Sequence, residues 1–246
     1  GTNFLSTVDV SDSNSCTITL TDTQDNKDIN FFGDVTADTF TTAAQGYDIF
    51  FFSDATFANA VTFQNTGTLL LGDATSDTLT FNGGVTESTS GTVTIDGAIV
   101  SSDDAINFGV ISLGQNLSVT SAGGAISIGA ITGSGSNRDV TITSSGGSAN
   151  TVAVGAIGGS GNINTVAITG STSVTLNGNI TTNDASGNTV TLTAPSIDAG
   201  SVTIDTNNTN NDGNVSFIVN NLTNTGTIDA GTATFQIAPN TVTHVI

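Results

Sequence analysis

Catalysis needs a nucleophile, a base or acid, or a cluster of metal ligands, and this chain of 246 residues holds few of each. His244 is its single histidine and Cys16 its single cysteine. A Ser/His/Asp or Cys/His device requires the base beside the nucleophile, and nothing in the sequence anchors His244 near Cys16 or any serine. In Cys-Thr-Ile-Thr-Leu (16–20), Cys16 shares parity with Ile18 and Leu20, which predicts inward packing as a small apolar residue. Paired carboxylates serve as acid and base in enzymes that cleave polysaccharides. The one adjacent pair is Asp103-Asp104, and Lys27 and Arg138 are the only basic residues available to hold an acidic sugar. The expectation is a protein that is not an enzyme, with no catalytic and no cofactor-binding residue to name.

Metal ligation is the remaining chemistry. Of 21 acidic residues only Glu87 is glutamate, so 20 aspartates offer hard oxygen ligands of the kind Ca²⁺ prefers. Two motifs invite the idea and neither survives inspection. Asn208 to Gly213 resembles the start of an EF-hand loop, but its twelfth position is Val219, where a bidentate glutamate should stand. Gly158-Gly-Ser-Gly-Asn162 has the style of the glycine-rich Ca²⁺ nonapeptide, but Ile163 falls where its aspartate belongs. Metal ligands are therefore unassigned, with Ca²⁺ the one cation the composition could hold between loops. A formal charge of −19 argues against nucleic acid and anionic membrane surfaces, whose affinity comes from Lys and Arg. It is otherwise read as solubility and resistance to side-by-side aggregation. Five Asn-x-Ser/Thr sequons, at Asn116, Asn179, Asn207, Asn214 and Asn221, are what a chain rich in Asn and Thr produces by chance.

Whatever these residues do, short apolar strands must place them. Strand cores begin near Leu69, Leu79, Val93, Ile106, Leu117, Ile126, Val140, Val152, Val166, Val174, Val190, Val202 and Val215, a step of roughly 12 residues, or roughly 24 taken in pairs. Units at such a period cannot bury their own apolar face and must stack. Ile106-Asn-Phe-Gly-Val-Ile, Ile126-Ser-Ile-Gly-Ala-Ile and Val152-Ala-Val-Gly-Ala-Ile repeat one device, two inward residues followed by a glycine bend. The prediction is all-β: a right-handed parallel β-helix of two or three strands per coil, with a β-sandwich array as the rival. It is read as a single elongated domain over 1–246, Phe-rich in 1–110 and Gly/Thr/Val-rich in 111–246. Eleven of thirteen phenylalanines lie at or before Phe108, which implies stacked core rings or an aromatic surface strip. Asn and Thr at equivalent corners are expected to form hydrogen-bonded ladders. The polar run Thr206 to Asn214 is expected to be a solvated turn.

The stretch from Val61 to Thr86 (Val-Thr-Phe-Gln-Asn-Thr-Gly-Thr-Leu-Leu-Leu-Gly-Asp, then Leu79-Thr-Phe-Asn-Gly-Gly-Val-Thr), with the later Gly-Ala-Ile and Val-Thr-Ile-Thr units, resembles bacterial surface proteins of the filamentous-haemagglutinin and autotransporter-passenger kind. The resemblance lies in repeat style over most of the chain. It implies a secreted parallel β-helix at the bacterial cell surface, serving attachment or scaffolding. The function expected is therefore a structural extracellular rod of an adhesin, fibre or surface layer. No run of about 18 apolar residues points to membrane insertion. Val242, His244 and Ile246 alternate to the last residue without a polar cap, which suggests either the remainder of a larger surface protein or self-association, head to tail or by strand addition. A carbohydrate- or host-surface-binding module is the alternative, with Tyr47 beside Phe50–Phe52 as its exposed aromatics. A polysaccharide-active β-helix enzyme ranks below it. Ice binding by regular threonine rows also ranks low, because the Thr spacing wanders between units.

Overall fold

The computed structural model describes residues 1–11, 15–21, 25–88, 91–135, 137–146, 150–159 and 162–241. Among them there are strands and turns but no helix, and hence none long and apolar enough to cross a membrane. Every strand pairing among the described residues is parallel, and each strand between the first and last coils bonds to its equivalents in the coils before and after it. The chain is a parallel β-solenoid of about ten turns. This excludes the sandwich, in which neighbouring strands would run in opposite directions.

Each coil contributes to three faces, here called A, B and C. Along face A the inward column runs Thr2, Ile29, Ile49, Leu69, Val93, Ile111, Ile131, Ile157, Ile180, Ile204, Ile228. Face B stacks Val8, Val35, Ala55, Leu79, Ile99, Val119, Ile142, Ile168, Leu192, Phe217, Ile237. Within face C, Val61, Val85, Ile106, Ile126, Val152, Val174, Ile197 and Leu222 lie over one another. Coil length is not fixed. It falls to 18 residues from Val93 to Ile111 and reaches 27 from Thr2 to Ile29. The period of 24 thus describes an average, because loops absorb the variation while the faces keep register.

The glycine bend sits at the corner between faces C and A. Ile106 and Phe108 are buried on one side of Gly109, Ile111 and Leu113 on the other, and two successive outward residues reset the phase. Gly109, Gly129 and Gly155 occupy this corner in consecutive coils. A Cβ on Gly129 would lie 2.8 Å from the carbonyl oxygen of Gly109, and one on Gly155 would overlap the carbonyl of Gly129. Glycine is required here because the next coil's backbone passes where a side chain would be.

Core filling changes along the axis. Phe4, Phe31 and Phe51 stack face to face at 4.9 Å, and Phe40, Phe57, Phe63 and Phe81 fill the neighbouring interior. Farther on, the inward face-B column passes from Phe57 and Phe81 to Ser101, Ser121 and Ser144, all three serines buried. They satisfy the adjoining turns: Ser121 Oγ accepts from Gly124 N at 2.7 Å and donates to Asp104 O, and Ser144 Oγ donates to Gly124 O.

Candidate functional site

Strand ladders satisfy backbone groups on the faces and some corner amides bond the next coil's backbone, but others have no backbone partner. Acidic and carboxamide side chains meet them. Asp25 accepts from Gly46 N, Asp48 from Thr68 N, Asp54 from Thr78 N, and Asp96 from Gly114 N and Gln115 N. Farther along, Asp184 accepts from Asn210 N and Asn211 N, and Asp212 from Thr232 N. In each case a side chain in one coil caps an amide of the next. Much of the acidic composition is therefore built into the corners as charge-assisted acceptors.

Side-chain donation from Asn210 holds the Asp184 carboxyl below the ordinary carboxylate range, and donation from Thr232 does the same for Asp212. Asp9 is lowered by the Ser11 hydroxyl. Asp73 moves the other way, raised first by burial and then by neighbouring Asp77 and Asp96. Among the described residues no group of three or more His, Cys, Asp or Glu is arranged to hold a metal ion.

The residues singled out by sequence separate on the structure. Asp103 and Asp104 form an exposed turn between faces B and C, with the Asp104 carbonyl accepting from Ser101 and Ser121. Cys16 is half-buried and its amide donates to Asp38 Oδ2. His244, with Val242 and Ile246, lies outside the described residues, as do Ser160 and Gly161 of the glycine-rich loop. Four of the five sequon asparagines are engaged in corner bonds: Asn116 with Asp139, Asn179 with Thr203, Asn207 with Asp229 and Asn214 with Thr234. The run from Thr206 is more than a solvated turn. Thr206 and Gly213 are buried, Thr206 Oγ1 donates to Gly213 O, and Asn210 and Asn211 clasp Asp184 of the preceding coil.

Tyr47 is not a surface aromatic. It is fully buried, donates its hydroxyl to Leu20 O at 3.1 Å and accepts from Ala43 N at 2.9 Å. Burial pushes its phenol up from the usual value. The aromatic strip that does reach solvent comes from two like segments, Asp28-Ile-Asn-Phe-Phe-Gly-Asp34 and Asp48-Ile-Phe-Phe-Phe-Ser-Asp54. Phe32 is 46% exposed and stacks on Phe52 at 4.8 Å with planes 7° apart. The two rings face each other, which closes their inner faces. A sugar ring stacks on an aromatic face, and this pair has none free between its rings. A shallow groove crosses the corner before face A, lined by Asp25, Asp48, Gly67, Thr68 and Thr92 among others. Both of its carboxylates are already bonded to Gly46 and Thr68.

The outward side of face B carries a second pattern. One column runs Asp9, Thr36, Thr56, Thr80, Val100, Thr120, Thr143, Thr169, Thr193, Ile218, Ala238, so threonine holds it from Thr36 to Thr193 except at Val100. Beside it stand Thr78, Ala98, Ser118, Thr141, Ala167, Thr191 and Ser216. The wandering Thr spacing of the sequence is thus a property of the loops. On the face itself the hydroxyls are aligned. Sequence reasoning missed this because only the register tells which threonines are equivalent.

No family model, curated protein or solved structure matches the chain.

Proposed function

We propose that this chain is a structural, non-catalytic extracellular rod of a bacterial adhesin, fibre or surface layer, with end-to-end self-association as its mode of assembly. One observation supports it above the rest: an unbroken stack in which side chains that could do chemistry cap corners instead of converging. Eleven levels at about 4.8 Å each give a rod on the order of 50 Å long. A secreted, cell-surface setting accords with the resemblance in repeat style and with a chain that has two basic residues and one cysteine. Among the described residues the terminal coils leave apolar surface open. Phe4, Val8, Val10, Ile18 and Leu20 are only partly buried where their equivalents one coil on, such as Phe31, Val35 and Ala37, are buried. At the other end Phe235 is 42% and Ile237 55% exposed. A further coil, from a second copy or from more of the same polypeptide, would extend both the ladders and the core.

Negative-stain electron microscopy with sedimentation velocity tests the reading. Rods lengthening in multiples of one unit are expected as concentration rises. Globular particles would defeat the rod, and strictly monomeric rods at high concentration, with and without Ca²⁺, would defeat the assembly. Labelling of intact producing cells with an impermeant reagent checks the location.

A further inference from the structure

We propose that the outward side of face B is an ice-binding surface, a role that rests on this face alone and not on the rod reading. The rod's layer repeat is directly visible in its stacked rings, 4.8 Å for Phe32 on Phe52. Successive outward residues on one strand lie two residues apart, about 6.7 Å. Thr141 and Thr143, in register with Thr191 and Thr193 two coils on, therefore belong to a two-dimensional grid with these two spacings. Threonine is stiff at χ1, so hydroxyl and methyl positions repeat with the backbone.

Two further observations separate this grid from an ordinary Thr-rich sheet surface. First, its hydroxyls are unused. Among the described residues those of Thr120, Thr141, Thr143, Thr169, Thr191 and Thr193 have no protein hydrogen-bond partner, whereas the buried corner hydroxyls of Ser101, Ser121, Ser144 and Thr206 are engaged. Unpaired hydroxyls at fixed intervals bind water at the same intervals, and that water is an ordered layer. Second, from Thr78 onward the face carries no net charge, on a chain of charge −19. On its strands from Thr78 to Val219 the only charged residues are Arg138 and Asp139, at the margin, and Asp139 is held by Asn164 and Thr165. Charge complementarity then favours a neutral, periodic occupant. A second copy fits less well, since it would bring two strongly acidic chains within a Debye length of about 8 Å.

The test grows ice from buffer containing the full chain and reads the gap between melting and freezing temperatures together with crystal shape. Wild type is expected to hold a gap and to facet the crystals. Thr143→Tyr, at the middle of the grid, is expected to cut the gap at least in half, while Thr175→Tyr, outward on face C, leaves it unchanged. Thermal melts check that both variants fold, and Thr120→Tyr stands in if Thr143→Tyr does not. Round crystals without a gap in wild type would overturn the proposal, as would equal losses from face B and face C. Salt-dependent dimers abolished by Thr143→Tyr, without any effect on ice, would reassign the face to self-association and overturn it too.

Discussion

Replacing Ser121 by alanine isolates what the interior serine column does. The side chain is fully buried and bonds in two directions: Gly124 N donates to its Oγ at 2.7 Å, and the Oγ donates to Asp104 O at 3.1 Å. Alanine leaves the buried Gly124 N–H without an acceptor, a cost of about 1–3 kcal/mol, and removes one ordinary bond worth about 0.5–1.5 kcal/mol. Asp104 O keeps the Ser101 hydroxyl, so its own loss is partial. The expected destabilisation is about 2–4 kcal/mol, which for a chain of this size unfolding as one unit lowers Tm by on the order of 10 °C. Ser118→Ala, three residues earlier but facing outward with no side-chain bond, should stay within about 0.5 kcal/mol. Thermal melts measure the difference. Hydrogen exchange should localise it, with the Gly123–Ala125 amides losing protection before those of distant coils. Equal melts for Ser121→Ala and wild type, or equal losses for both variants, would refute the view that buried hydroxyls hold these turns.

Gly129→Ala places a Cβ 2.8 Å from the Gly109 carbonyl oxygen, where only backbone can yield, and should cost at least about 1–3 kcal/mol by denaturant melt. Acid titration should split the carboxylates by direction. Those of Asp184 and Asp212, lowered by donors from the next coil, contribute stability above the ordinary carboxylate pKa, and that stability goes as pH falls through their folded values. Asp73, raised by burial and by Asp77 and Asp96, behaves oppositely: Asp73→Asn should stabilise at neutral pH and lose that advantage on acidification. Carboxyl-carbon NMR shifts against pH give both signs directly. Tyr47 is the sole tyrosine in a chain without tryptophan, so phenolate absorbance reports it alone. Its raised value means stability that is intact below the ordinary tyrosine pKa and lost as pH rises through the folded one. Ionisation should therefore coincide with unfolding in alkali, and a phenol titrating freely while the far-ultraviolet signal stays native would contradict its burial.

The solenoid was legible because its interior repeats chemically: Ile106, Ile126 and Val152 announce themselves as equivalents, and the glycine after each pair marks the same corner. The number of faces was less legible. The strand entering face A at Val110 follows the face-C strand through the bend at Gly109 without a break in strand structure, so the sequence displays one apolar block where the structure has two faces. The polar architecture was hardest to see. Asp96 caps Gly114, 18 residues on, while Asp184 caps Asn211, 27 residues on, and no fixed offset connects such pairs. Tyr47 misled for a related reason. Beside Phe50–Phe52 it looks like part of one aromatic strip, but it precedes the strand and turns inward under Leu20.

Two kinds of polar side chain are thus divided by position, and the division bears on what the surface can meet. Where the chain turns, some amides lack ladder partners, so Asp and Asn side chains are drawn to them and bond the next coil. Where the chain runs straight, ladders satisfy the backbone, and on face B outward threonines such as Thr143, Thr169 and Thr193 have no side-chain partner among the described residues. Charge therefore concentrates on the corners of a prism and free hydroxyls on a face. Lateral approach of two rods brings acidic edges together and is opposed at low salt. Axial approach meets the partly covered apolar interiors of the end coils and is not opposed in the same way. The corner carboxylates, which finish each coil, would thus favour the proposed end-to-end association over lateral pairing.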